Sequence, residues 1–327
     1  MCALFGWLDC GKKLSHSQLK KLTQELANAA EERGTDASGI SYVKNGEIKI
    51  YKKPKPSHKV KFDFPKGTAA IMGHTRLTTQ GNQKFNYNNH PFYGKADKSF
   101  AFAHNGVLYN DTELKKDKNL PKTHIETDSY VAVQLIEKQG KLDFDSLKSM
   151  AENVHGSFTF TILDENNTLY FVKGSSPMYL IYFEKLDLYA YTSTENIMKK
   201  ALKKSGLNQH SYQVIKLTEG DIISIDKLGK IDCDEFKVNE LRYLSGFNYT
   251  DTVDYYTCEE EMLLEICGCF GVPEEDVLLL LDYGYTTDDV EEILMDSDLL
   301  EDTLSGIKEL NETEDLFEYC EKINGNC

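Results

Sequence analysis

Short apolar runs set between polar turns divide the first 250 residues into compact elements. Leu4–Leu8 reads as a strand close to the first residue. Ser15 is placed as an N-cap, and Leu19, Leu22, Leu26 and Ala29–Ala30 form a helical stripe to about Glu32. Gly34 and Gly39 bracket a tight loop before a strand at Ile40–Val43, and Asn45-Gly46 is a hairpin signal into Ile48–Lys52. Residues 52–66, rich in Lys and Pro, read as a loop. Ala69–His74 and Ser99–His104 read as strands that each end in a polar motif, and Ser129–Gln139 as a helix. Phe158–Asp164, Leu169–Lys173, Met178–Phe183 and Leu188–Thr192 form a predicted meander, followed by a helix at Glu195–Lys204 and a strand at Ile222–Asp226. Strands first flank helices and then cluster, which is an α+β order rather than a βαβ repeat.

Charge then changes the picture. Residues 251–327 hold 24 Asp plus Glu against Lys308 and Lys322, a net −22; with −16 for the whole chain, residues 1–250 carry about +6. The break falls near Gly246–Asp254, so a domain is expected over 2–246 and an acidic helical tail or mini-bundle over 254–327. In that tail Glu259–Phe270, Glu274–Asp282 and Asp288–Met295 read as helices. At 327 residues and 40% hydrophobic, the chain can bury a large core. No signal peptide and no run of about 18 apolar residues is visible. The eight Cys form no CxxC pair, which fits reduced thiols and a cytoplasmic location. With no His and no CxxC in the tail, Cys258, Cys267, Cys269, Cys320 and Cys327 read as free thiols and no metal site is expected. Neither nucleic acid nor a membrane surface is an expected partner.

Four polar clusters carry candidate chemistry. Cys2, once Met1 is removed, would join a thiol to a free α-amino group titrating at about 7.7–8.0, a nucleophile with its own base. Arg33-Gly34-Thr35-Asp36 follows the first helix. Gly73-His74-Thr75-Arg76-Leu77-Thr78-Thr79-Gln80-Gly81 follows a strand, with Asn89-His90-Pro91 after it. His104-Asn105-Gly106 ends another strand and is followed by Glu126-Thr127-Asp128. Arginine is scarce: Arg33, Arg76 and Arg242 stand against 34 Lys, and two of the three lie in these clusters. That usage points to sites needing the planar two-pronged donor.

In this order and spacing the clusters resemble the glutaminase domain of class II glutamine amidotransferases, which are N-terminal-nucleophile hydrolases. The likeness runs from Cys2 to about Leu217–Asp226 and includes Gly156–Asp164 and Tyr191–Ala201. It implies a four-layer αββα sandwich. It also implies that Cys2 attacks the side-chain amide of L-glutamine to give a γ-glutamyl thioester, with Asn105 and Gly106 as the oxyanion hole. Arg76 would clamp the substrate α-carboxylate, Thr79 and Gln80 would assist, and Asp128 would hold the α-ammonium. Arg33 and Gly34 would frame the N-terminus. No cofactor is implied. Ala3 stands where many members have Gly, Leu77 where several have Trp, and Gln80 where His is frequent.

The larger members of the family continue into a synthase, phosphoribosyltransferase or ligase domain, and the acidic tail is too short for any of these. No P-loop or GxGxxG motif is present. A separate ammonia-accepting ligase or synthase is therefore the expected partner. The tail either folds onto the basic N-terminal domain, recruits a basic partner, or is a solvated acidic face. Two alternatives to glutamine hydrolysis stay open: a hydrolase of another γ-glutamyl compound, and a non-catalytic regulatory module that keeps Met1.

Overall fold

The computed structural model describes residues 2–238, 263–264, 267–268, 272–282, 285–294 and 299–307. The chain divides into two units, 1–252 and 253–327.

In the first unit, strands β1 (Ala3–Asp9), β2 (Ala37–Lys44), β3 (Glu47–Lys53) and β4 (Ala70–Arg76) interleave with helix α1 (His16–Ala29). Strands β5 (Phe92–Lys95) and β6 (Ser99–Leu108) precede helices α2 (Asp111–Asp117), α3 (Tyr130–Gln139) and α4 (Phe144–Asn153). The meander β7 (Gly156–Asp164), β8 (Leu169–Lys173), β9 (Tyr179–Phe183) and β10 (Leu188–Thr192) leads to α5 (Glu195–Ser205). Strands β11 (Gln213–Ile215), β12 (Asp221–Ile225) and β13 (Ile231–Glu235) follow. One sheet has the order β11-β9-β10-β1-β4-β2-β3 and the other β13-β12-β8-β7-β6-β5, every pair antiparallel.

The period-2 alternation of each strand sorts side chains into three cores. Ala3, Phe5 and Trp7 of β1 pack with Leu19, Leu22 and Leu26 of α1 and with Ile197, Met198 and Ala201 of α5. Leu4 and Leu8 face the other way, into a layer with Met72, Ala101, Ala103, Leu163, Phe171 and Tyr191 between the sheets. Phe100, Phe102, Phe158 and Phe160 pack under Val131, Leu135 and Ile136 of α3 and Leu147 and Met150 of α4. The result is a four-layer αββα sandwich. Helix α1 starts at a reciprocal Ser15–Gln18 capping box, and Trp7 Nε1 donates to Thr23 Oγ1 across 2.8 Å, pinning the helix to β1.

The strands absent from the sequence reading, β5, β11 and β13, are all outer strands of their sheets. They are three to five residues long and carry weak apolar patterns. Helix α2 is polar apart from Leu114, so it has no stripe to read; α4 does show one in Leu147, Met150 and Ala151, after an Asp143–Ser146 capping box. The expected loop around Gly39 is strand instead: Ala37 pairs with Arg76 and Gly39 with His74. Residues 52–66 contain the end of β3 and a strap whose Val60, Phe62 and Phe64 are buried against the helical layer.

In the second unit, α6 (Glu274–Asp282) and α7 (Thr287–Leu294) are helical, as are residues 299–307. Leu263, Cys267, Val277, Leu280, Val290, Leu304 and Ile307 form its core. Thr286 and Asp289 cap α7 reciprocally, and Glu274, Glu275 and Asp276 lie in the first turn of α6, where the helix dipole favours anions. Residues 259–262, 265–266, 269–270 and 295 of the expected helices, the expected boundary near 246–254, and Cys258, Cys269, Cys320 and Cys327 lie outside the described residues. Among the described residues no helix is long and apolar enough to cross a membrane.

Strand β1 depends on one glycine for its close packing. A Cβ at Gly6 would lie 2.2 Å from the Ile71 carbonyl oxygen and 2.6 Å from Tyr191 Oη. Gly6→Ala is expected to cost about 1–3 kcal/mol by overpacking. Urea unfolding tests this, and an unchanged midpoint and slope would refute it.

Candidate active site

The site is built from strand ends. Cys2 directly precedes β1, and Ala3 is registered with Thr75 of β4, so the cysteine comes to lie beside the end of β4 that carries Arg76. The half-buried thiol donates to the Leu77 carbonyl at 3.4 Å, and Arg33 Nε donates to the Cys2 carbonyl at 3.1 Å. Burial raises the thiol pKa; the positive amino terminus, the Leu77 hydrogen bond and Arg76 oppose that rise, while Asp128 adds to it. A thiol in these surroundings rests protonated and needs a base before it can attack.

Gly34 is required by close approach. A Cβ there would fall 2.5 Å from the Arg76 carbonyl carbon and from Leu77 N. Asp36 then fixes the same turn from both sides. Its N–H donates to the Arg76 carbonyl at 2.9 Å, and its carboxylate accepts from Thr78 N–H at 2.8 Å.

Arg76 is 3% exposed. Its Nη1 donates to Asn89 Oδ1 at 2.7 Å, and Nη2 donates to the carbonyls of Gln80 and, at 3.3 Å, Gly81. Burial lowers the guanidinium pKa, and the charges of Cys2, Asp128 and Asp36 oppose that shift. The side chains of Thr79 and Gln80, by contrast, are exposed on the loop, and Gln80 contributes its main-chain carbonyl. Lys52 of β3 donates to the carbonyls of Asn89 and, at 2.9 Å, Pro91, holding the far end of the loop. Burial, followed by the charge of Arg76, lowers its pKa to about 8.

The second sheet supplies the opposite wall. In β6, Gly106 has φ +132°, and a Cβ would lie 2.1 Å from the Ser157 carbonyl oxygen, so only glycine fits. Asn105 beside it is fully buried, with neither Nδ2 nor Oδ1 hydrogen-bonded among the described residues. Orphaned amides of this kind are uncommon in native interiors. Asp128 is buried; its Oδ2 accepts from Leu108 N–H at 2.7 Å and its Oδ1 from Ser129 Oγ at 3.3 Å. The Ser129 hydroxyl also lies 2.8 Å from His104 Nδ1.

His74 joins the walls, with Nε2 2.9 Å from the His104 carbonyl. A carbonyl only accepts, so this nitrogen carries the proton. His90 lies against His74, with ring centroids 4.2 Å apart and ring planes tilted by 32°. Burial lowers the pKa of His74 to about 3 and pushes that of His90 well below the usual imidazole value, with neighbouring cations adding to both shifts.

Cys2, Arg33, Gly34 and Arg76 therefore meet on the first sheet, while Asn105, Gly106 and Asp128 line the second. Asp36, Asn89 and Glu126 stand inside the polar clusters without an expected role, and Lys52 and Asn88 lie outside them. Their signal is long-range: each acts through a partner distant along the chain or through main-chain groups.

With this geometry in place, the comparisons fall into line. Residues 74–200 match the glutamine amidotransferase domain family. Glutamine--fructose-6-phosphate aminotransferase [isomerizing] of Staphylococcus epidermidis is 32% identical over 189 residues, covering 54% of this chain and 30% of that protein. Its Staphylococcus aureus counterpart is 28% identical over 246 residues, covering 71% and 38%. The chain thus spans about a third of the length of these curated relatives. Glutamine phosphoribosylpyrophosphate amidotransferase from B. subtilis superposes with a TM-score of 0.57 at 22% identity, over 73% of this chain and 50% of that one. An allosteric regulatory enzyme of purine biosynthesis superposes at 0.59 and 18%, over 89% and 63%. At such identities these structures establish the fold alone, two antiparallel sheets packed between helical layers. Residues 74–200 therefore resemble a glutamine amidotransferase domain, within a chain that spans only part of the length of these relatives.

The histidine pair has a measurable consequence. Between pH 6.5 and about 3 the unfolded chain binds a proton at His74 that the folded chain refuses, so stability falls as pH drops through that window. His90 shifts in the same direction. Each such ring steepens the dependence by up to about 1.4 kcal/mol per pH unit. Urea unfolding from pH 6.5 to 4 is expected to show a shallower slope for His90→Leu than for the wild type. Equal slopes would refute a buried neutral His90.

Proposed function

We propose that this chain hydrolyses the side-chain amide of L-glutamine, with the glutaminase domain over 2–246 and residues 254–327 as a separate acidic unit. The observation that carries the reading is the unpaired buried Asn105 amide beside the glycine-only backbone of Gly106, across from a cysteine reached by the fields of Arg76 and Asp128. A free amino acid carries one anionic and one cationic end, and Arg76 and Asp128 are the matching pair of buried charges. The hydrogen bonds of Arg76 named above all go to neutral acceptors, leaving its charge available for a carboxylate.

In the proposed sequence, the α-amine of Cys2, free after loss of Met1, takes the thiol proton as sulfur attacks the γ-carbon. The oxyanion gathers on the Asn105 amide and the Gly106 N–H. Collapse breaks the C–N bond, and the ammonium form of the α-amine protonates the departing amide nitrogen, which leaves as ammonia and a γ-glutamyl thioester remains. Water, deprotonated by the same amine, then attacks the thioester, and glutamate leaves with the thiol restored. Glutamine and water are consumed; glutamate and ammonia are formed. Arg33, bound to the Cys2 carbonyl, and Gly34 hold the N-terminal segment in place. Gln80 assists through its carbonyl on Arg76, and Thr79 borders the same loop. The ammonia passes to a separate acceptor enzyme, a ligase or synthase.

Met1-processed protein is expected to release glutamate and ammonia from L-glutamine, and Cys2→Ala to release none. Asn105→Ala is expected to lower kcat by about 10²–10³ through loss of an oxyanion donor. Arg76→Lys is expected to raise KM by removing the guanidinium fork. Turnover by Cys2→Ala would overturn the reading. Turnover of other γ-glutamyl compounds without glutamine would change the donor.

A further inference from the structure

We infer that Asn88 and Glu126, together with Asn89, form a positioning bridge that fixes the separation between Arg76 and Asp128; this rests on the glutaminase reading above. Asn88 lies in the loop between β4 and β5, yet it is fully buried. Its carboxamide is used at both ends. Oδ1 accepts from Glu126 N–H at 2.9 Å, while Nδ2 donates to Glu126 Oε2 at 2.7 Å and to the Asn82 carbonyl at 3.1 Å. Glu126 Oε2 also accepts from Asn82 N–H at 3.3 Å. Gly81, at φ +77°, is seated on this pair, and a Cβ there would come within 3.1 Å of Glu126 Cβ and 3.2 Å of Asn88 Nδ2.

The two ends of this clasp lead to the two charges. One residue beyond Asn88, Asn89 accepts from Arg76 through Oδ1 and donates to the Gln83 carbonyl through Nδ2 at 2.8 Å. Two residues beyond Glu126 stands Asp128, anchored to β6 through Leu108 N–H. A continuous series of hydrogen bonds and short backbone segments therefore runs from the guanidinium, through Asn89, Asn88 and Glu126, to the carboxylate. In an α-amino acid the carboxylate and ammonium are attached to one carbon, so their two receptors must be held at one spacing before substrate arrives. Without the bridge, binding has to order the loop as well as seat the ligand. Cys2, Asn105 and Gly106 hang on β1 and β6 instead, so their chemistry does not depend on the bridge.

The test compares KM, kcat and the rate at which iodoacetamide alkylates Cys2 in the wild type, Glu126→Ala, Asn88→Asp and the Asn88→Asp/Glu126→Gln double variant. Glu126→Ala is expected to raise KM for glutamine by about 10–100-fold, with kcat and the alkylation rate close to wild type. Asn88→Asp sets a second carboxylate against Glu126 and is expected to raise KM at least as far. The double variant restores an amide–carboxylate pair with the partners exchanged, and is expected to recover much of the loss, which a merely structural defect would not do. An unchanged KM in Glu126→Ala, or no recovery in the double variant, overturns the bridge while leaving the glutaminase reading intact. A wild-type protein with free Cys2 that does not hydrolyse glutamine overturns both.

Discussion

Strand β1 is hydrogen-bonded on both sides, to β4 with Ala3 opposite Thr75 and to β10 with Phe5 opposite Thr192, and all seven of its residues are buried. A strand held in this way cannot slip by one residue, because a slip would turn Leu4 and Leu8 out of the layer between the sheets and drive Phe5 and Trp7 into it. Register therefore fixes where the chain emerges. Cys2 leaves the sheet beside Arg76, and the same β4 end receives Gly34 and Asp36 from the turn after α1. The address of Cys2 is a consequence of core packing elsewhere along the strand.

Around that address the interior is electrically uneven. Arg76 and Lys52 are cations turned toward carbonyl oxygens, and the nearby imidazoles of His74 and His90 are driven neutral, first by burial and then by those cations. Asp128 lies on the other wall, held by a backbone N–H and the Ser129 hydroxyl. Arg76 and Asp128 are both buried, each held by neutral groups. Their desolvation makes each charge count for more than it would at a wet surface. Among the described residues the buried Asn105 amide has no hydrogen-bond partner, and it stands on a strand that admits only glycine at the next position.

Much of this was legible along the chain, and the limits are instructive. The interior strands were readable because each carries a long apolar or alternating run; β5, β11 and β13, at the sheet edges, carry little because they bury little. Cys2, Arg76, Asn105, Gly106 and Asp128 stood out through residue type and order. Asn88 did not, and Asn89 and Glu126 sat in those motifs with no role of their own, since an asparagine or glutamate in a polar loop has no local signature. Thr79 and Gln80 fell in the same motif, and both residues are exposed on the loop.

The sequence by itself determined the α+β class, the periodicity that sends alternate residues of β1 to opposite cores, and the chemical inventory of the site. Those follow from short-range constraints: side-chain period, capping, glycine geometry and functional-group type. Only the tertiary structure decided which neutral acceptors surround Arg76, why Gly34 and Gly106 tolerate no Cβ, and that Asn88 reaches Glu126 across 38 positions of chain. Such facts depend on which strand ends meet. That is settled by the burial of three cores acting together, a balance no local stretch of sequence contains.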